Sequence, residues 1–198
     1  MRTLVVCNLM PLDGYVAGPG EDVMALPLDA SFDAYRTERL RAAEHAAAGP
    51  PQLRGVQELL ATVAEDDSFT PDQLEISRLD NAIDKVVVSD SLTPDGTELW
   101  RHNTRIVRRA DAHRQVAELK RQDGGEILMF GSPTLWNDLL AHGLVDELHL
   151  LIGAVVLGDG TPAFEGQPPV FLRRVEVRGL DGSDNLLVRY EVRPSASR

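Results

Sequence analysis

A potential ligand-binding site lies directly after an apolar run in the second half of the chain. Glu126–Phe130 is apolar beyond its first residue, Gly131 follows it, and helical periodicity begins at Ser132. Glycine lets a ligand approach the backbone closely, and the first turn of a helix carries N–H groups without a partner in the helix. Ser132 is an N-cap type, Pro133 suits the first helical position, and Gly143 suits the residue after the helix. This order favours phosphate binding, although a tight strand-to-helix turn needs glycine in any case.

Small polar residues also follow another apolar run. Val86–Val88 leads into Ser89, Asp90 and Ser91. Ligands of open α/β sheets gather at the carboxyl ends of strands, where these side chains can meet a ribose or a phosphate. The same residue types form turns by accepting hydrogen bonds from nearby backbone N–H groups. Both interpretations stay open from the sequence alone.

A long loop rich in glycine and proline follows the first apolar run, Leu4–Cys7. Such a loop can close over a ligand, and Asp13 is its only early carboxylate. Asp13 serves either a ligand or the turn that it forms with Gly14. Cys7 is the only cysteine, so no internal disulfide forms, and with five scattered histidines the sequence predicts no metal site. We expect Cys7 to be a buried core thiol.

Few other residues suit acid–base chemistry. We expect His45 on a solvated face at a helix end, and His149 in a strand as a core or interface histidine with its partners satisfied. Trp100 and Trp136 are expected in the core. The remaining candidates near the ends of predicted elements are Asp22, Asp90 and Glu126.

The elements that position these residues alternate between strands and helices. Short apolar runs predict strands, and longer periodic stretches with N-cap residues such as Asp29 and Ser31 predict helices. This alternation indicates an α/β fold with a mostly parallel central sheet flanked by helices, and the late glycine-rich turns indicate an antiparallel C-terminal edge. The predicted strands are Leu4–Cys7, Lys85–Ser89, Glu126–Phe130, Glu147–Leu157 and Leu186–Val192. The predicted helices are Ala30–Ala48, Pro71–Asn81, Asp111–Arg121 and Ser132–His142.

Length and charge narrow the classes of protein. The 198 residues suffice for one well-buried core, so we expect a single domain over residues 1–193 and a disordered tail over 194–198. The formal net charge of -11 argues against nucleic acid and anionic membranes as partners. A phosphorylated ligand would need a local electropositive pocket. Neither a secretory signal nor a membrane span is predicted, which favours the cytoplasm.

Four segments together carry a resemblance to a known family. Pro11–Pro19 is similar to the pattern S-L-D-G-[YF]-x-A-G-P, and Ile76–Ser89 to L-N-x-x-x-K-x-V-x-S. Ile127–Leu135 is similar to I-x-x-x-G-S-x-x-L, and Leu144–Gly160 to D-E-L-x-L-x-x-x-P-V-x-L-G-x-G. In this order they resemble the bacterial dihydrofolate-reductase-like family of the riboflavin-biosynthesis reductase. The resemblance covers nearly the whole chain.

The resemblance implies a dihydrofolate-reductase-like fold and an NADPH-dependent reductase of a small heterocyclic or carbonyl substrate. It also implies a homodimer, with Glu147–Val156 and the late edge strands as interface candidates. Asp13 is the implied catalytic residue and borders the substrate with Leu157, Gly158 and Gly160. The implied cofactor-binding residues are Asn8, Val16 and Ala17 by the nicotinamide, Ser89, Asp90 and Ser91 by the adenosine, Gly131, Ser132, Pro133 and Thr134 by the pyrophosphate, and Gly49.

One segment departs from the family. Where the family has G-R-x-T-[YF], this chain keeps Gly49 but has Pro50 and Pro51 in place of the phosphate-binding Arg and Thr. Proline offers neither an N–H donor nor a positive charge. Arg54 is a candidate substitute cation. A repurposed family member is therefore an alternative, acting without the cofactor as an isomerase, cyclase or dehydratase of secondary metabolism. A non-catalytic small-molecule-binding protein is a second alternative.

Overall fold

The structure is a computed structural model that describes residues 1–49, 69–166 and 170–193. Its strands are β1 (Leu4–Pro11), β2 (Tyr15–Ala17), β3 (Ala43–Ala48), β4 (Asp84–Val88), β5 (Thr104–Val107), β6 (Glu126–Phe130), β7 (Glu147–Gly153), β8 (Thr161–Pro162), β9 (Phe171–Gly179) and β10 (Leu186–Arg193). Its α-helices are α1 (Ala30–Ala42), α2 (Pro71–Ala82), α3 (Ala112–Lys120) and α4 (Pro133–Ala141). Short 3-10 helices span Pro19–Glu21, Val23–Ala25, Pro94–Trp100 and Arg109–Asp111.

Contacts within the chain group its residues into two compact units. The first comprises Met1–Thr3 and Asp33–Ser132, and the second comprises Leu4–Phe32 and Pro133–Arg198. Strands β3 to β6 belong to the first unit, and the other strands belong to the second. The single domain over residues 1–193 stays a prediction, and the expected tail, 194–198, lies outside the described residues.

The first unit contains four parallel strands in the order β5-β4-β3-β6. β3 is paired on both sides, since Ala46 lies opposite Lys85 of β4 and Leu128 of β6. The short apolar runs predicted for this sheet are buried, as expected for parallel strands that are covered on both faces. One core cluster of the unit contains Val87, Leu92 and Trp100, with Ile106 packed against it.

The sequence-predicted helix over Ala30–Ala48 is wrong beyond Ala42. There the chain enters β3, whose sequence Ala43–Ala48 is rich in alanine, the strongest helix former. The backbones of β4 and β6 both need hydrogen-bond partners between them, and this requirement outweighs local propensity. His45 consequently lies in a strand and is half-buried, so the expected solvated position at a helix end is wrong.

The second unit contains a mixed sheet. β1 and β7 are parallel, while β7, β10 and β9 pair antiparallel in that order. β2 and β8 form a separate antiparallel pair. With the four parallel strands of the first unit, this arrangement confirms the predicted mixed, mostly parallel α/β fold with an antiparallel edge.

The strand predicted over Glu147–Leu157 ends early, at Gly153. Gly153 packs so closely on Pro27 that a Cβ there would lie 2.1 Å from the proline Cγ. The Val155 N–H then donates to the Gly153 carbonyl (2.9 Å), which turns the chain out of the strand. Strand β1, by contrast, extends beyond the predicted Leu4–Cys7 to Pro11.

Several expected core residues are confirmed. Cys7 and His149 are fully buried, as are Trp100 and Trp136 except for 1% of their surface. The His149 imidazole lies 2.8 Å from Glu147 Oε2, so its polar ring is satisfied inside the second unit. Among the described residues, no helix is both long enough and apolar enough to cross a membrane.

Candidate functional site

Because β5, β4, β3 and β6 are parallel, their carboxyl ends lie along one edge of the first unit. The residues that follow the strands there are, in spatial order, Arg108, Ser89, Gly49 and Gly131. Ser89, Gly49 and Gly131 are predicted cofactor-binding residues. The fold therefore brings three of the predicted residues to one edge. Three residues that concern the phosphate contacts lie outside the described residues. They are Pro50 and Pro51, which replace the family's Arg and Thr, and Arg54, the candidate substitute cation.

The Ser89 side chain organises the turn after β4. Its buried Oγ accepts hydrogen bonds from the N–H groups of Ser91 (3.2 Å) and Leu92 (2.9 Å). Asp90 Oδ1 accepts one from the Arg109 N–H (3.0 Å). Ser89 and Asp90 thus hold the turn, and the exposed Ser91 side chain lies on it.

Two arginines that the sequence analysis did not select lie beside this turn. Arg108 Nη1 donates to the Ser89 carbonyl (3.3 Å) and also to that of Asp90. The Arg109 side chain is 68% exposed, with Nε 3.8 Å from Asp90 Oδ2. Together they supply positive charge at the carboxyl edge of a chain whose net charge is -11. A basic pair directly after the apolar residues Ile106 and Val107 was the sequence signal for them.

The turn after β6 has an unusual backbone conformation. Gly131 and Ser132 both have positive φ, at 61° and 55°. A left-handed conformation is uncommon for a residue with a Cβ, and Ser132 is also buried. Ser132 therefore lacks the extended backbone of an ordinary N-cap, which corrects that prediction. The predicted end of the next helix is confirmed, since Gly143 has φ +66° and donates to the Leu140 carbonyl (3.1 Å).

The segment Ile76–Ser89, which carries part of the family resemblance, also anchors the first unit. Trp100 Nε1 donates to Asn81 Oδ1 (2.7 Å). Lys85 Nζ donates to the Ile83 carbonyl (2.9 Å) and lies 4.4 Å from the centre of the Trp100 ring. Burial lowers the pKa of Lys85 to about 8. Asn81 and Lys85 thus hold Trp100 in the core.

In the second unit, Asp13 connects two loops. Its Oδ2 accepts a hydrogen bond from the Gly158 N–H (2.7 Å), and the Gly14 N–H donates to the Pro11 carbonyl (3.0 Å) to close the turn before β2. Gly160 is required for close approach, because a Cβ there would lie 2.1 Å from the Ala17 carbonyl oxygen. The structure thus brings Asp13 close to Gly158, and Gly160 close to Ala17.

The other predicted residues of the second unit lie in nearby elements of the chain. Asn8 is buried in β1, Val16 is buried in β2, and Leu157 is half-buried. Pro133 and Thr134 form the first turn of α4. That helix is fixed by Asn137, which the sequence analysis missed and whose Nδ2 donates to the carbonyls of Pro133 (2.8 Å) and Ala163 (2.9 Å).

Other acid–base candidates have structural partners. Asp22 Oδ1 accepts a hydrogen bond from the Met24 N–H (2.9 Å) and so begins a 3-10 helix. The carboxylate of Glu126 forms an ion pair with Arg39 (3.1 Å).

Comparisons with known proteins agree with this architecture. The sequence matches the RibD C-terminal domain family over residues 2–183. The Bacillus subtilis (strain 168) protein YyaP is 42% identical over 50 residues, a match that spans 25% of this chain and 27% of that protein.

Two solved structures share the fold. One is a diaminohydroxyphosphoribosylaminopyrimidine deaminase/5-amino-6-(5-phosphoribosylamino)uracil reductase from Thermotoga maritima (TM-score 0.63, 16% identity, 96% of this chain and 56% of that chain). The other is dihydrofolate reductase from Enterococcus faecalis complexed with NADP(H) and RAB-propyl (TM-score 0.61, 10% identity, 97% of both chains). Both likenesses concern the fold. With the family match across nearly the whole sequence, they show that the chain has a dihydrofolate-reductase-like fold and belongs to the RibD C-terminal domain family.

Proposed function

We propose that the protein is an NADPH-dependent reductase of a small heterocyclic or carbonyl substrate. Family membership supports a reductase, and the turn at Gly131 and Ser132 is the observation that carries the cofactor assignment. A buried non-glycine residue in the left-handed region costs of order 1–3 kcal/mol, and such strain clusters where backbones hold ligands. The strained turn occurs where the resemblance assigns the cofactor's pyrophosphate.

The carboxyl edge of the first unit suits a phosphorylated nucleotide. Ser91 would contact the adenosine on a turn that Ser89 and Asp90 hold, and Arg109 offers a cation beside it. Guanidinium groups bind phosphate through charge-assisted hydrogen bonds. Gly131 and Ser132 would contact the pyrophosphate. These donors and this charge fit the cofactor, although the net charge of the chain is negative.

The second unit contributes the residues assigned to the nicotinamide and substrate sides. Asn8, Val16 and Ala17 would lie by the nicotinamide, and Pro133 and Thr134 by the pyrophosphate. A bound reduced nicotinamide supplies the hydride. The protein has to bind and orient the cofactor and the substrate, and to exclude water. Asp13, held by the Gly158 N–H, would border the substrate and fix the loop that contains Leu157, Gly158 and Gly160.

Pro50 and Pro51 favour a second candidate function. Where these two residues replace Arg and Thr, the chain loses both a charge and a hydroxyl toward the phosphates. A protein that binds NADPH too weakly to use it would act as a cofactor-independent isomerase, cyclase or dehydratase, or would bind a small molecule without catalysis. Cofactor binding therefore separates the candidates.

Titration of the full chain with NADPH, followed by nicotinamide fluorescence, tests the proposal. We expect saturable binding, and Ser132→Ala should weaken it about tenfold because a hydrogen bond to a charged group is lost. Ser77→Ala is the matched control, since Ser77 lies within α2 rather than at a strand end. No fluorescence change at millimolar NADPH would contradict the proposal and support the second candidate.

A further inference from the structure

A cavity of about 450 Å³ lies at the opposite edge of the first unit from the proposed cofactor residues. It borders the amino ends of β3 and β4 and the last turns of α1 and α2. Its volume falls in the range of small-molecule sites. The apolar wall consists of Leu40, Ala43, Leu79, Ala82 and Ile83, and the polar lining of Arg2, Glu44, His45 and Asp84.

One side of the cavity is held in place by an ion pair. Arg2 Nη1 donates to Glu44 Oε2 (2.6 Å), and the Arg2 side chain is only 8% exposed. This pair packs directly on the backbone of two glycines. A Cβ at Gly124 would lie 2.3 Å from Glu44 Oε2, and a Cβ at Gly125 would lie 2.7 Å from the Ala42 carbonyl. The pair is therefore positioned before any ligand binds.

His45 lines the cavity as a neutral side chain. Its Nδ1 atom is buried and has no hydrogen-bond partner among residues 1–49, 69–166 and 170–193. Burial lowers the pKa of the imidazole below its ordinary value of 6.5, and the nearby Arg2 lowers it further. Neutral imidazole therefore predominates at pH 7.

The charges of the lining residues define the ligand class. Arg2 contributes one positive charge, Glu44 and Asp84 contribute two negative charges, and His45 is neutral, so the lining is negative by one charge. We propose that this cavity binds a small organic monocation, with an ammonium or amidinium group on a flat apolar body. The apolar wall would take the body, and the exposed carboxylate of the lining residue Asp84 would pair with the cationic group. This site is independent of the proposed cofactor site.

Three aromatic probes of similar size but different charge test the proposal: benzylammonium, benzyl alcohol and benzoate. Each is titrated into the ¹⁵N-labelled full chain while amide chemical shifts are recorded. We expect benzylammonium to shift the amides of Ala43–His45 and Ile83–Asp84 and to bind at least about fivefold more tightly than benzyl alcohol. Benzoate should leave these amides unchanged at the same concentration.

Variants of two exposed aspartates supply the control. Asp84→Asn should weaken benzylammonium binding about fivefold and leave benzyl alcohol binding unchanged, because only the cation interacts with the carboxylate. Asp95→Asn, on a residue outside the cavity lining, should change neither. Equal or tighter binding of benzoate would overturn the proposal, as would the absence of shifts at the lining amides with all three probes.

Discussion

Arg109 is the single residue on which the cofactor assignment can be tested most selectively. It lies beside the turn that Ser89 and Asp90 hold, and most of its side chain is exposed. An exposed cation contributes modestly to binding, because solvent screens it. If it contacts the 2′-phosphate that distinguishes NADPH from NADH, its loss affects only one of the two nucleotides.

We therefore expect Arg109→Gln to raise the Kd for NADPH about threefold to fivefold and to leave the Kd for NADH unchanged. Fluorescence titrations with both nucleotides measure the two constants. Arg101→Gln is the matched control, because Arg101 is similarly exposed and pairs with Asp95 in another segment. Equal losses for NADPH and NADH would show that Arg109 does not recognise the 2′-phosphate.

The sequence analysis missed Arg109 because it did not predict the strand before it. β5 (Thr104–Val107) has only two apolar residues, Ile106 and Val107, among polar ones. Gly131 and Gly158, by contrast, were predicted to lie in turns, and both have a positive φ, at 61° and 80°. The left-handed conformation of Ser132 was not predicted, because residues with a Cβ rarely adopt it and serine in a sequence does not indicate it.

Among the elements, the beginning of α1 depends on one carboxylate. Asp29 Oδ1 accepts hydrogen bonds from the N–H groups of Ser31 (3.0 Å) and Phe32 (3.1 Å), which confirms Asp29 as an N-cap. Its Oδ2 accepts bonds from the Ser183 hydroxyl and from Asn185 Nδ2 (3.1 Å). The same side chain thus joins the helix start to the turn between β9 and β10.

We expect Asp29→Ala to lower the free energy of unfolding by about 2 kcal/mol at pH 7, as measured by urea denaturation. Burial acts to raise the pKa of Asp29, but the hydrogen bonds from Ser183, Ser31 and Phe32 outweigh it and lower the pKa below 3.8. The stabilisation is therefore present above pH 3.8 and is lost as the pH falls through the lower folded-state value.

The control for this prediction is Asp22→Ala, because Asp22 caps only a three-residue 3-10 helix through one bond to Met24. Asp22→Ala should lower the free energy of unfolding by less than about 1 kcal/mol. A difference between Asp29→Ala and the wild-type protein that stays constant from pH 7 down to pH 3 would contradict the assigned role of the carboxylate.

Strand β3 is an element that its local sequence could not predict. Ala43–Ala48 has a helix-favouring composition, and only its neighbours β4 and β6 make it a strand. β8 has two residues and β2 has three, too few for any periodic pattern. The buried apolar runs, by contrast, were recognisable, and Glu126–Phe130 was predicted with its bounds correct.

For the whole molecule, the homodimer stays a prediction. The strand pairing of the second unit limits which strands can form its interface. β7 is paired on both sides within the second unit, so its backbone is not available to a second copy. β9 pairs with β10, and among its apolar side chains Phe171 is 61% exposed, Val175 48% and Val177 49%. An apolar edge strand of this kind is normally covered or protected.

We expect the wild-type protein to have twice the chain mass of 21.7 kDa by light scattering at micromolar concentration. Val177→Lys should shift it to 21.7 kDa without loss of secondary structure, because a buried unpaired charge opposes association. Val23→Lys, at another exposed apolar residue, should leave the mass unchanged. A wild-type mass of one chain would contradict the dimer, and an unchanged mass for Val177→Lys would exclude β9 as its interface.

The burial of the only cysteine gives the chain a built-in reporter. Cys7 lies in β1 with no exposed surface, and no other thiol competes for a reagent. A thiol-specific dye can therefore react with the native protein only when β1 opens, so the labelling rate measures the opening of that strand. Added nucleotides or cations that stabilise the folded chain would slow labelling, which makes this one sulfur atom a means of screening for ligands without knowing the reaction.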